Sequence, residues 1–305
     1  MLRKKFLMVT AATWVIIPVV SAARFHVVTT TDYTAALARA VAGDKAEVES
    51  IVPPGFNADL YSPRPQDLFK IHRAKLFIMI GLNLEDWARD VVNAADNPTL
   101  AKAEIYHGIK LLDIPKGNVD YSFGDIHPYG NPHFQLDPED GRIMASNIRD
   151  ALVYIDPADK AVFDKNFTDF ESRLAEGEKR WQAQMGPFKG QAFIPYHESW
   201  DYFAEYFHLI IPEPPKTIEE KPGFVPSPRR VEEVIRLAKD KNVKLIVTEP
   251  YYDVSVAKTI AERLSIPYLN ISLYDIGLNP KEKDYISMMD YVVDQFVQAM
   301  QGHGS

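Results

Sequence analysis

The sequence predicts an α/β protein of two lobes, each a mainly parallel sheet with flanking helices, bridged by a long rigid helix. Two observations predict this fold. Short apolar strands alternate with helices in both halves of the chain, and a long helical pattern separates the halves. With 305 residues, of which 46% are hydrophobic, the chain is long enough for two domains with separate cores.

The first 23 residues are typical of an export signal. Basic residues precede an apolar run over positions 6–20, and small residues follow at 21–23. The run is short for a membrane span, and an uncleaved anchor or a buried first helix is the alternative. We expect cleavage after Ala22 or Ala23, which would leave a mature protein in the periplasm.

The first predicted lobe covers residues 24–156. Its strands are apolar runs bounded by turn residues, and its helices begin at capping residues such as Asp137, with Pro138 at the first helical position. The predicted strands cover residues 25–30, 48–52, 75–80 and 108–112. The predicted helices cover residues 32–42, 66–73, 85–95 and 137–152.

A linking helix is predicted over residues 157–186. Apolar residues recur along it at helical spacing, and at a rise of 1.5 Å per residue it would be about 42 Å long. Gly177 lies inside the pattern, and because glycine weakens helices, two shorter helices broken near it are the alternative. A continuous helix would form a spine between the lobes.

The second predicted lobe covers residues 187–301, and residues 302–305 form a frayed tail. Strands again alternate with helices, which favours a second mainly parallel sheet. The predicted strands cover residues 191–196, 209–211, 245–248 and 267–271. The predicted helices cover residues 200–207, 228–241, 254–264 and 281–300.

The composition excludes several classes of protein. A formal charge of -8, from 34 basic and 42 acidic residues, argues against a nucleic-acid partner. The absence of cysteine removes disulfides, thiolate metal sites and the lipid-modified cysteine that could tether an exported protein. Beyond the export signal no stretch is long and apolar enough to cross a bilayer, so we expect no membrane insertion of the mature chain.

Candidate metal ligands lie in loops that follow the predicted strands or precede a helix. Parallel sheets bind ligands at the carboxyl ends of their strands, and imidazole and carboxylate groups there suit a first-row divalent metal. Residues 124–133 carry two histidines among turn formers that cannot build a regular helix or strand. The candidates are Asp59, His127, His133, His197, Glu249 and Asp275.

Five short motifs together carry a family resemblance. They are Gly-Asp-Ile-His-Pro-Tyr-Gly-Asn-Pro-His at 124–133, Leu-Asp-Pro at 136–138, Tyr-His-Glu-Ser-Trp at 196–200, Lys-Pro-Gly-Phe-Val-Pro-Ser-Pro at 221–228 and Glu-Pro-Tyr-Tyr at 249–252. With them the chain resembles the metal-binding solute receptors of ABC transporters, in their zinc and manganese branch. The resemblance implies metal in the cleft between the lobes. It also implies a monomeric receptor, not an enzyme, that delivers zinc to a membrane permease.

The resemblance assigns metal ligands by position. His133 matches the histidine of the family's Asn-Pro-His motif, and His197 matches the histidine at the start of the second lobe. The first ligand is usually a histidine in a Gly-x-Asp-Pro-His-x-Tyr segment, but Asp59 stands there, within residues 55–61. A coordinating Asp59 would harden the donor set and shift preference from zinc, the predicted metal, towards Mn²⁺ or Fe²⁺.

The fourth ligand of the family is a carboxylate from the second lobe. Asp275 is the match and Glu249 the alternative, while His127 or water would replace Asp59 in a remodelled site. A metallohydrolase with Glu198 or Glu249 as general base is a second hypothesis, but His-Glu-x-x-His, a nucleophile elbow and a phosphate loop are all missing. A family member that binds metal poorly is a third.

Overall fold

The computed structural model describes residues 24–117, 127–221 and 223–303. The predicted export signal and residues 124–126 of the candidate segment lie outside these ranges. Within them, no helix has both the length and the apolar character needed to cross a bilayer.

The first half of the described chain forms a parallel sheet with the strand order β2-β1-β3-β4, as the alternation of elements predicts. Val27 lies opposite Val48 on one side and Leu76 on the other, so apolar side chains share one face of the sheet. The strands are β1 (Phe25–Thr29), β2 (Ala46–Ser50), β3 (Leu76–Met79) and β4 (Ala101–Glu104). The helices are α1 (Asp32–Ala42), α2 (Pro65–Arg73), α3 (Ala88–Ala94) and α4 (Pro138–Ile155).

The position of the fourth strand corrects the prediction. Residues 108–112 form no strand, and β4 instead covers Ala101–Glu104, pairing with β3 alone. It is an edge strand in which half-buried alanines alternate with exposed Lys102 and Glu104, so it is less apolar than the run that was predicted. The Leu112 backbone N–H donates to the Tyr202 hydroxyl at 3.0 Å, which holds the later run as a connecting segment.

The predicted linking helix is continuous. α5 covers Lys160–Met185, between 3₁₀ turns at Pro157–Asp159 and Gly186–Phe188. The alternative break at Gly177 does not occur, because this glycine is buried where the indole of Trp181 packs over it. A Cβ atom at Gly177 would lie 2.7 Å from that ring, so only glycine fits without a shift.

The second half forms another parallel sheet, with the strand order β5-β6-β7. The predicted strand over residues 209–211 is reduced to one bridge between Ala192 and Ile210. The strands are β5 (Phe193–Pro195), β6 (Leu245–Thr248) and β7 (Tyr268–Asn270). The helices are α6 (Asp201–Phe207), α7 (Pro228–Asp240), α8 (Val254–Leu264) and α9 (Tyr285–Gln298).

The larger hydrophobic core runs through both halves of the described chain. α5 packs against α1, α4 and α9, so the C-terminal helix closes over the spine. Phe193 of β5 and Phe296 of α9 pack edge to face at 5.3 Å, in the same core as Val28 of β1. A smaller core lies between the second sheet and helices α7 and α8. The shared core fixes the loops that follow β2 and β5 relative to each other.

Candidate metal centre

Asp59 lies in the loop that follows β2. The Asn57 side chain shapes this loop: its Oδ1 accepts from the Asp59 backbone N–H at 2.8 Å, and its Nδ2 donates to the Tyr252 hydroxyl at 3.1 Å. The indole N–H of Trp87 donates to the Ala58 carbonyl at 3.2 Å. These bonds hold the Asp59 side chain at 4% exposure, in contact with both halves of the chain.

His133 is held by Asn131, two residues earlier in the motif that predicted it. The Asn131 Oδ1 accepts from the His133 backbone N–H at 2.9 Å, while its Nδ2 donates to the Glu198 carbonyl at 2.9 Å. The Tyr202 hydroxyl donates to the Asn131 carbonyl at 2.8 Å. Asn131 thus joins the His133 loop to the start of α6 in the other half of the chain. The His133 residue is 1% exposed.

His197 follows β5 directly, at the carboxyl end of the second sheet. It is 3% exposed, and its Nδ1 hydrogen-bonds to an Oε1 atom of Glu219. Because Nδ1 is engaged, Nε2 is the nitrogen that faces His133 and Asp59. The Tyr252 ring lies 5.5 Å from the imidazole and stacks on Tyr196, which closes one side of the site.

Asp59, His133 and His197 form a group of possible metal ligands among the described residues, with ligand atoms that all lie within 4.8 Å of one another. The two Nε2 atoms are 3.1 Å apart, and the Asp59 Oδ2 lies 3.8 Å from His133 Nε2 and 3.9 Å from His197 Nε2. The point equidistant from three atoms so placed is about 2.1 Å from each, which is the usual length of zinc–nitrogen and zinc–oxygen bonds.

The two histidines of this group differ in protonation. Burial lowers the pKa of His133 well below its usual value, and His197 and His127 act in the same direction. Burial acts to lower the pKa of His197 too, but the Glu219 carboxylate overrides it and raises that pKa to about 10. His133 is therefore neutral at pH 7, whereas His197 carries a second proton and a positive charge. A metal would displace that second proton.

His127 and Glu249 lie outside the three-residue group. The His127 ring is 5.2 Å from the His133 ring, centroid to centroid, and burial together with nearby His197 lowers its pKa to about 3. Glu249 is fully buried, which raises its pKa to about 7. Its Oε1 accepts from the Trp200 indole N–H at 2.7 Å, and its Oε2 has no hydrogen-bond partner among the described residues.

Asp275 also lies outside the group. It is half-buried in the loop after β7, where its backbone carbonyl accepts from the N–H groups of Leu278 and Asn279. Its Oδ1 faces the Asp59 loop at Gly55, where an added Cβ atom would lie 3.8 Å away. Asp275 is thus near the loop of one candidate ligand but not beside the three ligand atoms.

Sequence reasoning missed Glu219, the partner of His197. It belongs to the pair Glu219-Glu220, just before the motif at 221–228, and nothing in the sequence separates the two. In the structure Glu219 is 3% exposed and Glu220 is exposed. The available signal, a pair of glutamates just ahead of the motif, marks the region but does not tell Glu219 from Glu220.

The fold and the site define a class of protein: a two-sheet α/β protein with a buried group of two imidazoles and one carboxylate between its halves. Residues 27–299 match the family described as zinc-uptake complex component A, periplasmic (ZnuA). The chain belongs to this family, which confirms the predicted resemblance and the predicted fold class.

Individual relatives are similar along nearly the whole chain. The manganese ABC transporter substrate-binding lipoprotein PsaA of Streptococcus anginosus is 26% identical over 293 residues, 92% of this chain and 90% of the relative. The iron-binding protein YfeA of Yersinia pestis is 27% identical over 282 residues, 90% and 86% of the two chains. A crystal structure of ZnuA superposes with a TM-score of 0.76 at 22% identity, covering 91% of this chain and 99% of that one.

These matches make the chain a metal-binding substrate receptor of an ABC transporter rather than an enzyme. The family works with ABC transporter permeases, as predicted. The relatives are named for different metals, so membership defines a receptor for transition metals and not for one metal.

Proposed function

We propose that the protein captures a divalent first-row metal ion with Asp59, His133 and His197 and delivers it to the membrane permease of an ABC transporter. One observation carries the proposal: three buried ligand atoms from both halves of the chain surround a point about 2.1 Å from each. A cation bound there is shielded from water, and its release requires the loops that carry the three side chains to open. Such a closed site suits a protein that carries a metal ion rather than one that catalyses a reaction at it.

Zinc is the metal that we propose as the cargo. Sites of nitrogen and oxygen donors bind Zn²⁺ more tightly than Mn²⁺ or Fe²⁺, following the Irving–Williams order. The Asp59 carboxylate makes the donor set harder than three imidazoles would, which supports Mn²⁺ or Fe²⁺ as the alternative cargo where zinc is scarce.

We propose that one more group completes the coordination. Asp275 is the predicted fourth ligand, and Glu249 and His127 are the alternatives. The free, buried Oε2 of Glu249 supports the second choice, and the approach of Asp275 to Gly55 supports the first. Asp275→Asn, Glu249→Gln and His127→Gln separate them, because removing a ligand weakens metal binding more than removing a neighbour.

We also propose the arrangement of the mature protein. Residues 1–23 would direct export and be removed, leaving a periplasmic monomer without a lipid anchor. Residues 24–156 and 187–301 would be its lobes, 157–186 the link and 302–305 a tail. The shared core and the packing of α9 on α5 support a stiff link between the lobes.

Titration of the chelator-stripped protein with Zn²⁺, Mn²⁺ and, without oxygen, Fe²⁺ tests this function. We expect zinc binding with a Kd below about 10 μM, a binding free energy beyond about 7 kcal/mol. His133→Ala and His197→Ala should each weaken it by about 100-fold or more and leave a weak affinity that can still be measured, while His107→Ala, at an exposed histidine, should bind like the wild type. Failure of the wild type to bind any of these ions below about 10 μM would overturn the proposal.

A further inference from the structure

We infer that Glu219 is a positioning residue for metal capture: its carboxylate fixes the ring of His197 and places a negative charge one imidazole away from the buried divalent cation. The inference rests on the proposed function, since it assigns a role to Glu219 at the same site. It concerns a residue that contributes no atom to the three-atom group itself.

The backbone ties Glu219 to the strand that carries His197. The Ile218 N–H donates to the Pro195 carbonyl at 3.0 Å, and the Glu219 N–H donates to the Tyr196 carbonyl at 3.1 Å. Arg230 donates to the Glu219 carbonyl at 2.9 Å. These bonds use backbone atoms of Ile218 and Glu219 and not the Glu219 side chain. They therefore place the Glu219 carboxylate beside His197 before any metal binds.

Both oxygens of the Glu219 carboxylate are engaged. Oε1 accepts from Nδ1 of His197, and Oε2 accepts from the Gly223 N–H at 3.2 Å. With both oxygens held, the carboxylate cannot rotate freely, and the imidazole plane that it holds is fixed as well. A hydrogen bond at Nδ1 also selects the tautomer whose Nε2 lone pair is available to a metal.

The other ligand histidine lacks such a partner. The Nδ1 atom of His133 has no hydrogen-bond partner among the described residues. Glu249 is another buried carboxylate near the site, but it accepts from the Trp200 indole and from neither histidine. Of the two histidines in the three-residue group, His197 therefore has its Nδ1 held by a carboxylate and His133 does not.

The charges of the site give Glu219 its second role. The three-atom group by itself, with two neutral imidazoles and the Asp59 carboxylate, offsets only one of the two positive charges of a divalent ion. An uncompensated charge at a buried site is costly, and a carboxylate one imidazole away reduces that cost. Glu219 therefore lowers the cost of binding a divalent cation, whichever further group completes the coordination.

Variants of Glu219 test the inference by competition for Zn²⁺ with a chromophoric chelator. Glu219→Gln keeps an acceptor oxygen and loses the charge, and we expect affinity to fall about tenfold; Glu219→Ala loses both, and we expect a fall approaching 100-fold. Glu220→Gln removes an adjacent, exposed carboxylate and should bind within twofold of the wild type. Unfolding of the metal-free proteins checks that each variant is folded, and if Glu219→Ala is not, Glu219→Gln carries the test.

A double-mutant cycle separates positioning of His197 from a general structural role. If Glu219 acts through His197, then Glu219→Ala should cost little further affinity in a His197→Ala background. Proton NMR of the zinc-loaded proteins gives a second measurement. The resonance of the His197 Nδ1 proton should lie far downfield in the wild type and move upfield in Glu219→Ala.

The outcomes distinguish this inference from the proposed function. A wild type that binds no metal overturns both. A wild type that binds zinc, with Glu219→Gln and Glu219→Ala within twofold of it, overturns the role of Glu219 alone. An equal loss of affinity with and without His197 would also overturn it, because the effect would not pass through that ring.

Discussion

Among single residues, Asp59 has the largest influence on which metals the candidate centre suits, because it is the one anionic member of the three-residue group. His133 and His197 offer neutral nitrogen to any first-row ion, whereas a carboxylate oxygen is also a good ligand for harder ions. The side chain is 4% exposed and held by a loop that contacts both halves of the chain. We therefore expect the choice between metals to depend on this residue.

Changing Asp59 should change metal preference as well as affinity. In Asp59→His a third imidazole replaces the carboxylate, and we expect the ratio of zinc to manganese affinity to rise at least about tenfold. Asp59→Asn, which has the same size without the charge, should weaken both metals. Parallel titrations with the two ions measure the ratio. If Asp59→Ala left affinity unchanged while His127→Ala abolished it, coordination by Asp59 would be wrong.

Helix α5 gives a test at the scale of elements. Gly177 faces the buried indole of Trp181, which donates to Asp290 at 2.7 Å and cannot move away easily. Gly177→Ala should gain up to about 1 kcal/mol from helix propensity but lose more through overlap, for a net loss of about 1 to 2 kcal/mol in the free energy of unfolding.

Gly186, at the end of the same helix, is the control for that prediction. Its φ of -49° is helical, and apart from its chain neighbours Met185 and Pro187 no heavy atom lies within 4 Å of an added Cβ atom. Because an alanine in helical conformation before Pro187 also meets the proline ring, Gly186→Ala should change the stability by no more than about 1 kcal/mol in either direction. Denaturant unfolding of the metal-free proteins measures both changes, and equal stabilisation by the two alanines would refute the packing argument.

The start of α4 should make stability depend on pH. Burial raises the pKa of Asp140 to about 8, with Asp137, Glu205 and Glu139 adding to the shift, even though a helix N-terminus favours negative charge. The folded state therefore holds this proton more tightly than the unfolded state, so stability falls as pH rises from about 4 to about 8.

Asp140→Asn should remove that dependence. Near pH 4 the variant should match the wild type, and at pH 8.5 it should be the more stable of the two by about 1 kcal/mol or more. Thermal unfolding of metal-free protein at both pH values measures the difference. Asp150→Asn, at an exposed position of the same helix, should show no such change. If the difference in stability between Asp140→Asn and the wild type were the same at both pH values, titration of Asp140 would not be its cause.

The elements and the site were predictable to different degrees. Continuous apolar runs identified β1, β3 and β6, and strand ends pointed to Asp59 and His197, because parallel sheets place such loops at one edge. The edge strand β4 was missed since its sequence is half polar. Glu219 was missed because only tertiary packing buries it and leaves Glu220 in solvent.

At the scale of the whole molecule, the candidate centre joins the halves of the chain. Asp59 and His133 precede α5, and His197 follows it, so a bound ion adds a connection across the halves. The larger core already runs through both halves. We therefore expect metal to stabilise the protein as one cooperative unit.

Thermal unfolding with and without zinc tests this expectation. At free zinc 100 times the Kd, binding to the folded state alone adds about 2.7 kcal/mol, which corresponds to an increase in Tm of about 5 °C. His133→Ala should lose the increase while keeping a metal-free Tm close to that of the wild type. A zinc effect of the same size in this variant would mean that the stabilising ion binds elsewhere.

The most direct test of the candidate centre is a crystal structure of the zinc-loaded protein with the ion located by anomalous scattering. We expect one strong peak between the halves, about 2.0 to 2.2 Å from the Asp59 carboxylate and from Nε2 of His133 and of His197, as is usual for zinc. A peak at another set of side chains, or full occupancy without Asp59 as a ligand, would contradict it.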